Sequence, residues 1–264
     1  MSGHLGMLHG MVETRRAAKA ETRQSSGLLR VVASEQVTPK MLRLTAAVDV
    51  PHLPFDPSCP NQILRLVLPV DVATGGTSGA RPPSRTYTVR RYHEASGQVE
   101  LDVVLHGDGP FVRWAHEAAP GETIAFTGPR PHAVPSFEGD ALIMVSDETG
   151  LPAVAALLES APEGFPIHAR IEVADAAEEQ LLSTRAALDL GWHHRDGAAA
   201  GTTGALERAV RSLHWPAGRV EVWVAGETSE VRAVRRFATA EKKAARDDVQ
   251  AYGYWRRGRA GSPS

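Results

Sequence analysis

The sequence predicts a two-domain β plus α/β protein, with an antiparallel β-barrel over residues 28–134 and a parallel-sheet α/β domain over 135–264. Three observations predict it. From Leu28 to about Gly128 the apolar residues come in short runs separated by Pro and Gly, as antiparallel strands and their turns require. One of these runs alternates cleanly, so that Val99, Leu101, Val103 and Leu105 share a face and Glu100, Asp102, Val104 and His106 the other. After Pro135 the apolar runs lose their alternation and are interleaved with helical segments, the pattern of parallel strands buried on both faces.

Taken in order, the barrel strands fall at Leu28–Val32, Met41–Val48, Ile63–Val70, Tyr87–Tyr92, Val99–His106 and Thr123–Thr127. A helix at Pro110–Ala118 interrupts them, with Phe111, Trp114, Ala115 and Ala118 at helical spacing. Asp71–Pro83, rich in Gly, Thr, Ser and Pro, reads as a surface loop. The second domain is expected to hold strands at Ala141–Val145, Ile167–Ala174, Arg219–Ala225 and Asp248–Tyr254. Its helices are expected at Leu151–Leu158, Gly204–Leu213 and Ser229–Arg246, the last capped by Ser229.

Composition narrows the function classes. The 264 residues carry 29 Lys and Arg against 31 Asp and Glu, so no broad positive field exists for nonspecific nucleic-acid binding. A single cysteine, Cys59, excludes an internal disulfide, a Cys-ligated iron–sulfur cluster and a Cys-rich zinc site. No metal site is expected, and a reducing, cytoplasmic setting fits best. Residues 1–27 read as a mobile extension without the apolar stretch of a signal peptide or membrane helix. Met7 and Met11 leave the natural start open.

Five segments carry chemistry. In Ser84–Arg91 (SRTYTVRR) a strand places Arg85 and Tyr87 on one face, a bidentate cation beside a flat aromatic, with the Thr88 hydroxyl beyond. Such groups suit a flavin nucleotide: Arg for a pyrophosphate, Tyr against the ring system, Thr for a ring nitrogen. A polar surface strand is the plainer alternative. His106–Trp114 (HGDGPFVRW) joins a core strand to a helix whose free amides can receive a phosphate, although His106 and Trp114 can equally be packing residues. Ser146–Pro152 (SDETGLP) and Val224–Ser229 (VAGETS) each follow a buried strand, where open α/β sheets bind ligands, and Gly226 permits close approach; Asp147 and Thr149 can instead cap the helix. Gly253–Gly258 (GYWRRG) puts Tyr254 and Trp255 at the chain end, to stack on a ring or to staple the terminus.

In this order, RTYTVR, VVLHGDGPFVRWA, TGPR, DETGLPA, VWVAGE and GYWRRG resemble the siderophore-interacting proteins, a branch of the ferredoxin-reductase-like flavoproteins, over about Leu28–Gly258. The resemblance implies a barrel that binds FAD, a domain that binds NADH or NADPH, and reduction of ferric siderophores. It implies flavin contacts from Arg85, Tyr87, Thr88, Val89, Leu105, His106, Gly109, Pro110 and Trp114. Asp147, Glu148, Thr149, Gly226, Glu227 and Trp255 are implied on the nicotinamide side. At Gly150 the family usually has Ala, which implies a looser helix start here.

The expected chemistry is hydride transfer from NAD(P)H to FAD, then single electrons to chelated Fe(III), with no protein nucleophile. A rim of Arg90, Arg91, Lys242, Lys243, Arg246, Arg256 and Arg257 is expected to dock an anionic chelate, unless these are scattered solvated charges. Glu172 and Asp175 at a strand end favour NADH by binding ribose hydroxyls. The alternatives are a general flavin reductase serving another acceptor and a non-enzymatic siderophore-binding module. No nucleic-acid partner, no membrane insertion and a monomer are expected.

Overall fold

The computed structural model describes residues 26–49, 55–68 and 82–259. The extension expected over 1–27 lies almost wholly outside them, as does the 71–83 loop apart from Pro82 and Pro83.

Six strands close into a barrel: β1 (Ser26–Thr38), β2 (Met41–Asp49), β3 (Gln62–Val67), β4 (Ser84–His93), β5 (Gln98–Val104) and β6 (Thr123–Pro131), in the order β1-β2-β5-β4-β3-β6. Antiparallel pairing of β1 with β6 removes the free edges. The alternation read in β5 is the reason it closes: Val99, Leu101 and Val103 are at most 1% exposed and meet Leu29, Leu44, Leu64, Leu66 and Phe126 inside. Helix α1 (Pro110–Glu117) adds Phe111, Trp114 and Ala115 to that core. Burying a side chain of this size stabilises by roughly 1.5–3 kcal/mol. β6 outruns its predicted end because Arg130 and Pro131 still pair with Ile63 and Gln62.

The second domain is a parallel sheet in the order β11-β10-β7-β8-β9, built from β7 (Ala141–Asp147), β8 (Pro166–Val173), β9 (Ala187–His194), β10 (Val220–Glu227) and β11 (Val249–Trp255). Every residue of β7 and of β10 is buried, as expected of strands covered on both faces. Helix α2 (Leu151–Ser160) covers one face; α3 (Ala205–Ser212) and α4 (Thr228–Arg236) cover the other. Met41 of the barrel belongs to the same apolar cluster as α2, so the two domains share a core. Three polar ties cross the same junction. Glu178 Oε2 accepts from Thr38 Oγ1 at 2.6 Å, Arg90 and Arg91 both bond Glu159, and Trp223 Nε1 donates to the Ala133 carbonyl at 2.9 Å.

Three expectations need correction. β9 has no counterpart in the sequence reading, because its alternation of Leu188, Leu190 and Trp192 with Asp189, Gly191 and His193 is diluted by polar residues at a sheet edge. The last helix ends at Arg236, passes through a wider turn at Phe237–Glu241 and does not reach Arg246. Its cap is the Glu227 carboxylate, which accepts from the Ser229 and Glu230 amides, and not Ser229.

Candidate functional site

On the barrel, strand alternation brings Arg85 and Tyr87 to a single aromatic. The Arg85 guanidinium lies 5.6 Å from the Phe111 ring centre, and the Tyr87 and Phe111 rings are 6.0 Å apart. Phe111 is in the first turn of α1, whose N-cap Gly109 is followed by Pro110 and has no side-chain cap. Space is left open there, since a Cβ built on Gly107 or Gly109 meets nothing within 4 Å. Arg85 forms no salt bridge among the described residues and reaches only the Ser84 carbonyl, at 2.9 Å. A cation, a helix N-terminus with unclaimed amides and a flat phenol therefore converge. Burial pushes the Tyr87 phenol up, more than the nearby Arg85 pulls it down, so the ring stays neutral.

Thr88 points the other way, into the junction with the sheet. There the Tyr254 hydroxyl faces Thr88 and Asn61, yet neither Tyr254 Oη nor Asn61 Oδ1 has a hydrogen-bond partner among the described residues. Buried polar atoms without partners cost about 1–3 kcal/mol each, and a ligand with donors and acceptors along one edge satisfies them. The barrel residues thus fit the flavin nucleotide that the resemblance implies.

On the sheet, chain order runs outward from β7 in both directions, through β8 and β9 on one side and β10 and β11 on the other. The β7/β10 boundary is therefore a topological switch point, where the loops diverge and leave a crevice. Asp147, Glu148 and Thr149 leave β7 there, Gly226 and Glu227 end β10, and Trp255 ends β11. Asp147 is 3% exposed and accepts from Thr149, from the Glu227 amide and from Trp255 Nε1. Glu148 makes a two-pronged pair with Arg195, both contacts 2.7 Å. A cleft of about 390 Å³ opens beside them, lined by Lys40, Leu105 and His106 from the barrel side and by Glu148, Asp175 and Arg195 from the sheet side.

Several expected roles change. Trp114 and Val89 are 7% and 4% exposed and pack in the barrel core. The space over Gly226 is taken by Asp147, whose Oδ2 would sit 2.6 Å from a Cβ, so close approach there serves the protein's own carboxylate. Gly150 is not loose: a Cβ would fall 2.1 Å from Ser146 Oγ. Asp147 and Thr149 bond each other and leave the N-cap of α2 to Gly150, without a side-chain cap.

The expected ribose ligand Glu172 is 2% exposed and committed to Arg195 and Thr203, so it gives no preference for NADH; Asp175 lines the cleft but caps a short helical turn through the Ala177 amide. The docking rim also breaks up. Arg90 and Arg91 are tied to Glu159. Lys242, Lys243 and Arg246 precede β11, whose seven residues put them roughly 20 Å from the strand ends that carry Trp255. Lys242 there lies over the Trp215 and Phe237 rings. Arg256 and Arg257 are the members of the set that follow β11, and the Arg257 amide bonds Glu227.

The sequence reading passed over Lys40, Arg195 and Thr203. Arg195 directly follows the unrecognised β9, and a period-two reading of Leu188–Trp192 is the signal that leads to it.

Family models of the siderophore-interacting FAD-binding domain and of the siderophore-interacting protein match residues 72–133 and 139–258. The fold is similar to the crystal structure of a siderophore utilization protein from T. fusca, with a TM-score of 0.80, 34% identity, and coverage of 91% of this chain and 96% of that one. The ferric acinetobactin reductase of Acinetobacter baumannii is 27% identical over 87% of this chain and 78% of its own length. The NADPH-dependent ferric-chelate reductase of Escherichia coli is 29% identical over 67% of this chain and 68% of its own.

Proposed function

The chain belongs to the siderophore-interacting protein family, and from that premise we propose that it is an FAD-dependent reductase of ferric siderophores driven by NADH or NADPH. One observation carries the reading: a barrel face suited to a flavin nucleotide and the switch point of a parallel sheet meet at a single domain junction. When bound, FAD supplies acceptance of a hydride and delivery of single electrons to Fe(III), and hard oxygen chelators hold the resulting Fe(II) less tightly.

The chain's own residues act by position. Arg85 and the first turn of α1 take the charge of a pyrophosphate. The neutral Tyr87 ring gives a flat face, and Thr88, Asn61 and Tyr254 offer hydrogen bonds to a ring edge. Glu148 and Arg195 form the sheet-side wall of the cleft and Leu105 and His106 the barrel-side wall, which narrows water access to the reacting centre. The cleft takes the nicotinamide nucleotide, and Lys40 in its lining puts positive charge there for the nucleotide's phosphates. No general base is needed. A monomer working in the cytoplasm completes the reading.

Titrating the purified chain with FAD tests it. The expected result is a yellow complex that loses affinity at least about tenfold in the Arg85→Ala/Tyr87→Ala double variant, because a charge-assisted contact and a stacking face both disappear. Unchanged flavin affinity in a folded double variant contradicts the assignment. Steady-state rates with NADH and NADPH identify the reductant.

A further inference from the structure

The carboxylate of Asp147 receives four hydrogen bonds. Oδ1 accepts from Thr149 N at 2.9 Å and Thr149 Oγ1 at 2.5 Å; Oδ2 accepts from Glu227 N at 2.9 Å and Trp255 Nε1 at 2.7 Å. The donors come from the loop after β7 and from the ends of β10 and β11, so one side chain joins three adjacent strand ends. A β-bulge makes this possible. Gly226 pairs with Gly253 but Glu227 pairs with Trp255, leaving Tyr254 as the extra residue; Tyr254 turns to the barrel and Trp255 to Asp147. The backbone is shaped round the carboxylate, with Gly226 at φ +146° and no room there for a Cβ.

The indole in turn supports a wall of the cleft. A Cβ on Gly201 would lie 3.1 Å from the Trp255 ring, and the same loop contributes Gly197, Ala198 and Ala200 to the cleft lining.

We propose that Asp147 is a positioning residue for the nucleotide half of the reaction: its ionised carboxylate holds the Trp255 indole, and the indole holds the 197–201 wall of the cleft. The inference rests on the reading of that cleft as the nucleotide site. Protonation of Asp147 weakens this geometry: a proton on Oδ1 is donated to the Thr149 hydroxyl, which turns from donor to acceptor, and Oδ2 keeps only a neutral carbonyl for the Glu227 amide and the Trp255 indole. The Glu227 amide is fixed by the backbone, so the bond that loosens when the charge is lost is the one from the Trp255 indole.

Burial first, then the adjacent Glu148, raise Asp147 to about 6 against the opposing pull of Thr149 and Trp255. Other charges face it from each neighbouring element. Glu148 is paired with Arg195, which also reaches Glu172. Burial pushes Glu227 up, but hydrogen bonds from Ser229, Arg257 and Glu230 outweigh it and keep that carboxylate low. Burial raises the Tyr254 phenol, which stays neutral.

The test uses the FAD-loaded full chain with ¹⁵N in its tryptophan indoles, the Trp255 signal being assigned by its loss in Trp255→Phe. The signal is expected to titrate with a midpoint near pH 6 and to be pH-invariant in Asp147→Asn. In parallel, KM for the nicotinamide nucleotide should rise about tenfold between about pH 7.5 and 5, with kcat within about twofold. Trp255→Phe, which removes the N–H and keeps a ring, should show the high KM at both pH values, and it carries the comparison should Asp147→Asn not fold. An indole that does not titrate overturns the staple. A titrating indole with a flat KM overturns its role in the cleft. A chain that oxidises neither nucleotide removes the reading of the cleft, while the indole titration still decides the staple.

Discussion

Asp147 shows what a single residue contributes and what it costs. An aspartate raised from 3.8 to about 6 binds its proton more strongly in the folded chain than in the unfolded one. Its contribution to stability is therefore fully present below about pH 4 and is lost as pH rises through about 6. Four donors keep the carboxylate in place at neutral pH despite that loss. Comparing thermal unfolding of the wild type with Asp147→Asn between pH 4.5 and 7.5 isolates the effect. The wild type should lose stability relative to the variant as pH rises, and a difference independent of pH speaks against a carboxyl raised by burial in the fold.

At the scale of elements, the strands and helices that the sequence announces are those with strong periodicity. The alternating β5, the unbroken apolar β7 and the short α1 all form where their patterns put them. β9 escaped because a sheet edge tolerates Asp and His between its leucines, and the bulge in β11 escaped because nothing in GYW marks which residue is extra. The site was legible as motifs and less so as contacts. Arg85 with Tyr87 follows from alternation alone, whereas the commitment of Glu172 to Arg195 and Thr203 depends on residues brought in by β9 and the loop after it. The start of α2 gives a test at this scale. Gly150→Ala should destabilise by about 1–2 kcal/mol, since its Cβ meets Ser146 Oγ, and adding Ser146→Ala should recover most of that loss. Equal stability of the single variant and the wild type in chemical denaturation contradicts this packing.

At the scale of the whole molecule, the barrel and the sheet share one apolar core. Met41 is 2% exposed and packs with Leu142, Met144 and α2 across the junction. Met41→Ala should cost about 2–5 kcal/mol and leave a single unfolding transition at lower denaturant, whereas two separated transitions in the wild type contradict a common core. The same continuity holds the flavin face and the strand-end cleft at a fixed spacing, on which electron transfer depends. The most direct test of that arrangement is an anaerobic spectrophotometric titration of the FAD-loaded protein, first with nicotinamide nucleotide and then with a panel of ferric siderophores. The account predicts bleaching of the flavin absorbance by NADH or NADPH and its return on adding ferric siderophore, with Fe(II) captured by a chromogenic chelator. A flavin that neither nucleotide bleaches, or that stays bleached in the presence of every ferric chelate, contradicts it.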